Sequence, residues 1–167
     1  MKEKILEKLS QKFKSSILAV EEFAANPTLY GTDLIISVKK SGLISICEFL
    51  RDDSELRFDS LRDLLGVDQY RPEDRYEVVY NIYSIQNNFR LFLKIRVDES
   101  ELKVPSVTGV WPAANWLERE AYDMYGIVFE GHPDLRRIYM PEEFEYFPLR
   151  KEFPLMGIPD SLPLPQK

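Results

Sequence analysis

Residues 75–97 read RYEVVYNIYSIQNNFRLFLKIRV. Tyr76, Val78, Tyr80 and Ile82 alternate with other residues, and so do Phe89, Leu91, Leu93, Ile95 and Val97. A period of two turns one set of side chains to one face, so each half reads as a strand with a core on one side. Gln86-Asn87-Asn88 between them is turn chemistry, which makes the pair a hairpin.

Toward the N-terminus, Ile5, Leu9 and Phe13 recur every four residues among Lys and Glu, which predicts an amphipathic helix over 2–14. Ile17 to Val20 is a short apolar run and a first strand; Asn26-Pro27 breaks the chain, and Tyr30-Gly31-Thr32 turns it into a second strand from Asp33 to Val38. Ser41 can cap a second helix in which Leu43, Ile46, Cys47 and Leu50 share one face, ending near Asp52-Asp53. Cys47 then reads as a small buried hydrophobe rather than a reactive thiol. Residues 56–67 stay open between helix and strand, because Leu56, Phe58, Leu61, Leu64 and Leu65 fit neither period. The order helix, strand, strand, helix, then strands predicts an α+β domain, an antiparallel sheet with helices on one face.

Toward the C-terminus, two prolines and a glycine keep Lys103 to Pro112 extended or looped, and Ala113 to Tyr125 has helix-forming composition that Gly126 can end in a left-handed position. On that helix Leu117, Ala121 and Tyr125 form one stripe, Glu120 and Asp123 can share a face, and Arg119 and Asp123 are spaced for an ion pair. Six of the chain's 11 prolines fall after residue 140, so the chain divides into a domain over 1–140 and an extended tail over 141–167. Phe144, Tyr146, Phe147, Leu149, Phe153, Leu155, Met156, Ile158, Leu162 and Leu164 are too apolar for that tail to stay in water. It lies along another surface, its own domain or a partner, and the partner is the preferred reading.

At 167 residues with 44% hydrophobic and 30% charged content, the chain is long enough for one globular domain with its own core. A net charge of -6 argues against a nucleic-acid binder. One cysteine leaves no internal disulfide and no self-contained iron–sulfur cluster. The N-terminus lacks the apolar run of a signal peptide, and no stretch approaches a membrane span.

The chemistry concentrates in WLEREAYDMYGIVFEGHPDLRRIY, residues 116–139, with five acids, three arginines and the chain's single histidine. Glu118, Glu120, Asp123 and His132 could be weighed as a metal site, but there is no Glu-x-x-His pair and no second histidine. His132 could act as a general base with Glu120 or Asp123, yet the motif offers no serine or cysteine nucleophile, and the plainer reading is a histidine bonded to a neighbouring chain. Arg136-Arg137 and Arg150-Lys151 could meet phosphate, but no glycine-rich loop accompanies them, and ion pairs between subunits fit the nearby acids better. A greasy tail without a PxxP cluster argues against a proline-peptide adaptor. The residues favour a binding or scaffold protein over an enzyme.

Glu118-Arg119-Glu120, Asp123, Met124-Tyr125-Gly126, Phe129, Gly131-His132 and Leu135-Arg136-Arg137-Ile138 together resemble the signature of the 30 kDa subunit of respiratory complex I, the C subunit of bacterial NADH-quinone oxidoreductase. Pro105-Ser106-Val107-Thr108, Trp111, Ala114 and Trp116 match its lead-in, and Pro148-Leu149-Arg150-Lys151 with Phe153-Pro154-Leu155 match its tail, so the likeness covers about residues 103–155. Where that family commonly has Gly-His before Pro-Leu-Arg-Lys, this chain has Tyr146-Phe147, so no role of a second histidine carries over. The resemblance implies a subunit with no cofactor of its own, in a complex that holds NAD, FMN, iron–sulfur clusters and quinone on other chains. It implies a peripheral place on the cytoplasmic side of the inner membrane, against the 49 kDa-type (D) subunit and the cluster-bearing subunits. Glu118, Arg119, Glu120, Asp123, His132, Arg136, Arg137, Arg150 and Lys151 are then the partner-binding set, holding the end of the domain and the start of the tail against neighbours. A membrane-bound hydrogenase or another quinone oxidoreductase with an equivalent subunit is the alternative.

Overall fold

A computed structural model describes residues 1–26 and 31–158. The helix α1 runs Lys2–Phe13, with Ile5 and Leu9 fully buried and its lysines turned outward. The strands are β1 (Ile17–Asn26), β2 (Gly31–Val38), β3 (Ser60–Asp68), β4 (Tyr76–Ser84) and β5 (Phe89–Val97), and α2 spans Leu43–Asp52. Two three-residue strands, β6 (Lys103–Pro105) and β7 (Val128–Glu130), pair parallel on either side of α3 (Ala114–Tyr125).

The β4–β5 hairpin stands as its alternation predicts, with Tyr76 paired to Val97 at one end and Ser84 to Phe89 at the other. Asn88 adopts φ 47° in the turn, a left-handed position that asparagine tolerates. The Asn87 side-chain amide donates to the carbonyls of Glu55 and Leu56, at 2.9 and 2.8 Å, tying the turn to the chain before β3. Val78, Tyr80 and Ile82 of β4 and Leu91, Leu93 and Ile95 of β5 have no solvent exposure and form the sheet's side of the core. Leu43, Ile46, Cys47 and Leu50 of α2 close the core, and burial pushes the Cys47 thiol well above its ordinary value.

Two expectations change and one open stretch is settled. The five-stranded sheet has the order β1-β2-β5-β4-β3, and β2 runs parallel to β5, so the sheet is mixed rather than antiparallel. Alternation identifies each hairpin, but the seam between two hairpins distant in sequence leaves no local signal. Ser41 does not cap α2; it lies in a 3-10 turn over Lys40–Gly42, and Gly42 occupies the N-cap with no side-chain bond. Residues 60–68 are a strand whose pairing slips between Leu61 and Asp63, so that Leu61 and Leu64, three apart, both oppose core residues, Ile82 and Tyr80. The bulge is why neither period fits this stretch.

From Pro141 the described chain is a succession of turns rather than one extended run, with Phe144 N–H donating to Pro141 O, Arg150 to Phe147, Phe153 to Arg150 and Gly157 to Pro154. The rest of the tail, 159–167, and the break at 27–30 lie outside the described residues.

Two glycines place α3. Gly126 ends it at φ 79°, as the sequence predicts, with its N–H on Tyr122 O. Gly66 of β3 lets the Tyr125 ring in: a Cβ there would stand 2.6 Å from the ring. Gly66→Ala should therefore lower stability by about 2 kcal/mol through overpacking, measured by thermal or urea unfolding. An unchanged midpoint would mean the α3–β3 contact yields freely.

Candidate functional site

Helix α3 carries three charged side chains that are hidden from solvent, Glu118, Arg119 and Asp123, and each is spent on a different segment. Glu118 faces the loop before the helix. Its Oε1 accepts the Val107 N–H at 2.7 Å and its Oε2 the Ser106 hydroxyl at 2.7 Å, and Ser106 Oγ in turn contacts Thr108 Oγ1 at 2.8 Å. Burial disfavours its charge, the two hydrogen bonds only partly offset this, and the carboxyl is pushed up to about 7. The same loop is fixed by Trp111, whose ring N–H donates to Phe58 O at 3.0 Å.

Asp123 faces the chain after β7. Arg137 donates to its Oδ1 at 2.7 Å, and its Oδ2 accepts the backbone N–H groups of Ile138, Tyr139 and Met140 at 3.0, 2.7 and 3.0 Å. Burial alone would raise this carboxyl; the three N–H groups and Arg137 outweigh it and hold it below the usual range. Arg137 also reaches the Tyr146 carbonyl at 3.2 Å and lies over the Phe147 ring, 5.1 Å from its centre. The Arg119–Asp123 ion pair that helical spacing suggests does not form. Arg119 donates instead to the carbonyls of Arg136 and Arg137, at 3.1 and 3.3 Å, and stacks over Trp116 at 4.7 Å. Glu120, expected to share a face with Asp123, is exposed while Asp123 is buried.

His132 sits just past β7 with both ring nitrogens engaged. Nδ1 accepts the Asp134 N–H at 3.0 Å, so Nε2, 3.1 Å from Asn115 O, carries the proton and donates. Arg136 is exposed and pairs with Asp134 at 3.0 Å. Among the described residues no three His, Cys, Asp or Glu side chains gather as a metal-ion site.

A second anchor lies where β3 turns into β4. Arg75 grips Asp68 through two bonds, Nε to Oδ1 at 2.9 Å and Nη2 to Oδ2 at 2.8 Å, and also meets Glu99 at 2.9 Å and Glu152. Asp68 Oδ2 accepts the Lys151 N–H at 2.8 Å. Burial opposes ionisation of Asp68, but Arg75 and the N–H groups of Lys151 and Tyr70 carry it down to about 2. Between the anchors, Leu149 N–H donates to Met124 O at 3.1 Å and Arg150 Nε to Tyr125 O at 2.8 Å, closing over the C-terminus of α3. Thus 137–152 is strapped to the domain at both ends, while Leu155 and Met156 beyond it are fully exposed. Asp68, Arg75 and Glu152 are absent from the residues that the sequence singles out; an Asp–Arg pair flanking a turn, seven residues apart, was the available signal.

The family described as respiratory-chain NADH dehydrogenase, 30 Kd subunit, matches residues 36–159. The chain is 51% identical over 144 residues to the C 2 subunit of NADH-quinone oxidoreductase from Rhizobium meliloti (strain 1021), a match covering 86% of this chain and 76% of that one. It is 48% identical over 156 residues to the C subunit of NADH-quinone oxidoreductase from Geotalea uraniireducens (strain Rf4), covering 93% and 89%. Its fold matches the trypsin-resistant fragment (1–134) of Nqo5 with a TM-score of 0.63 at 32% identity, covering 80% of this chain and 98% of the fragment. It also matches a chain of the membrane-bound sulfane sulfur reductase, an archaeal respiratory membrane complex, with a TM-score of 0.70 at 24% identity, covering 93% and 86%, a likeness of fold alone.

Two outcomes follow from the buried carboxylates. Arg137→Ala leaves Asp123 buried with no countercharge and should cost about 3 kcal/mol, whereas Arg136→Ala should change stability by less than about 0.5 kcal/mol. Urea unfolding of both variants measures this; equal effects would refute the assignment. Glu118, with its carboxyl raised from 4.5 to about 7, contributes stability that is complete below 4.5 and lost as pH rises through 7, about 3 kcal/mol in all. Glu118→Gln keeps an acceptor for Val107 N–H and should flatten that loss. Unfolding free energies between about pH 5 and pH 8 test it, and an unaltered slope would show that the carboxyl does not titrate there.

Proposed function

The chain belongs to the family of the 30 kDa subunit of respiratory-chain NADH dehydrogenase, and from that premise we propose that it is a structural and assembly subunit of the peripheral arm of a proton-translocating NADH-quinone oxidoreductase. It binds no cofactor itself and supports electron transfer from NADH, through FMN and iron–sulfur clusters on other chains, to quinone. Its partners are the 49 kDa-type (D) subunit and the cluster-bearing subunits, on the cytoplasmic side of the inner membrane. No helix among the described residues is long and apolar enough to cross a membrane.

The observation that carries this reading is how the motif's charges are used. Glu118, Arg119, Asp123, Arg137 and Arg150 all bond to the chain's own backbone, Glu118 holding the loop before α3 and the other four holding the C-terminal segment in one course. Groups committed to backbone in this way hold a shape. The partner contacts then fall to what is left outside: Trp116, Glu120, Arg136 and Tyr139 of the motif, with Leu149, Lys151, Leu155 and Met156 of the tail. Exposed large apolar groups beside charged ones suit a subunit interface. A free-standing acid–base enzyme using His132 fits less well, because Asn115 and Asp134 take both ring nitrogens and Asp123 is occupied by Arg137 and three N–H groups.

Purification of the tagged protein from native membranes in mild detergent tests the proposal. The expected outcome is recovery with iron–sulfur subunits and NADH-quinone oxidoreductase activity. Recovery with nickel-bearing hydrogenase subunits would transfer it to the related complex. An iron-free soluble monomer without partners would overturn both.

A further inference from the structure

The three helices contribute to one core on one face of the sheet, and the register fixes what stands on the other. Ile35 is opposite Phe92 across β2–β5, and Val79 is opposite Leu65 across β3–β4. Phe92 faces Asn81 and Lys94 faces Val79 across β4–β5, which makes Phe92 and Val79 diagonal neighbours. Ile35, Phe92, Val79 and Leu65 thus form an apolar band across four strands. Leu65 is 50% exposed, the other three are half-buried, and none of the four belongs to the core. A sheet with one solvated face ordinarily presents polar residues there.

Charge is concentrated beside the band. Glu77, paired across from Arg96, is almost wholly buried, and three cations converge on it: Arg71 at 3.2 Å, Arg96 at 3.1 Å and Lys94 at 3.8 Å. One carboxylate does not neutralise three cations, so at this corner these four side chains together carry two positive charges in a chain of net charge -6. The acids of the same face, Glu21 and Asp63, stand at the two ends of the row through Ile35 and Phe92, away from that corner.

We infer that this open sheet face is a docking surface for another protein subunit, one that lays apolar side chains on the Ile35–Phe92–Val79–Leu65 band and an acidic side chain against Arg71, Lys94 and Arg96. Complementary charge selects the occupant. A second copy of this chain would bring a like-charged corner to it. The segment 159–167, PDSLPLPQK, offers one acid and one lysine and so no net negative charge. The inference rests on the reading of the chain as a subunit of a larger complex, and it names a face of the sheet that adjoins Glu120 and Met124 of the motif and Leu149 of the tail only at Leu65.

The test uses the full chain in its native membranes. Replacing Phe92 by the photo-crosslinking residue benzoylphenylalanine keeps an aromatic in the band. Irradiation of the purified complex should give an adduct on another subunit, within a few residues of an Asp or Glu. In parallel, the double variant Arg71→Gln/Arg96→Gln removes two exposed cations and leaves Lys94 to pair with Glu77. Its retention in the complex should fall about tenfold at physiological ionic strength, whereas Arg71→Lys/Arg96→Lys, which keeps both charges beside the buried Glu77, should be retained like the wild-type chain. No adduct, an adduct to lipid, to a second copy or to a segment without acids, or undiminished retention of the double variant would each overturn the docking surface. If the wild-type chain itself is recovered without partners, the subunit reading fails first and takes this surface with it.

Discussion

Asp123 has no access to water, and four hydrogen-bond donors from beyond β7 point at it. A carboxylate in that position is costly unless each lone pair is met, and here Arg137 and three successive N–H groups meet them. That requirement constrains the course of the chain after β7, because the N–H groups of 138–140 must all turn toward a single oxygen. Arg137, once seated, takes the Tyr146 carbonyl and the Phe147 ring, so the constraint passes along the segment. Arg150, which also lies over the Phe147 ring, and the Asp68–Arg75 pair beside it then complete the hold on the segment.

The two buried acids of α3 differ although little more than one turn of helix separates them. Asp123 has an arginine and is held ionised; Glu118 has a hydroxyl and one N–H, and burial prevails. Two hydrogen bonds do not offset the desolvation of Glu118, whereas three N–H groups and a guanidinium offset that of Asp123. Glu118 therefore fixes the loop before the helix, and Asp123 fixes the chain after it.

Much of this was legible in residues and much was not. The β4–β5 hairpin, α1 and the end of α3 at Gly126 are local events, governed by period and by one left-handed glycine, and the sequence predicts them. The parallel β2–β5 seam and the Asp68–Arg75 anchor join residues whose proximity exists only after folding. The bulge in β3 hid a strand, since a single extra residue breaks the alternation that marks one. In the motif, the residue types were visible but their burial was not. Spacing suggested that Arg119 and Asp123 pair with each other, while each is drawn away by backbone groups that helical geometry cannot reveal.

The parallel seam also bears on how the chain is made. Leu34 to Ser37 acquire their second neighbour only when Leu91 to Lys94 arrive, after α2, β3 and β4 have been translated. Until then the β1–β2 hairpin leaves the ribosome with one edge unsatisfied and with Leu34 and Ile36 uncovered by that neighbour. Closing the sheet is thus a long loop closure between Leu34–Ser37 and Leu91–Lys94, made only after the N-terminal strands have already been synthesised.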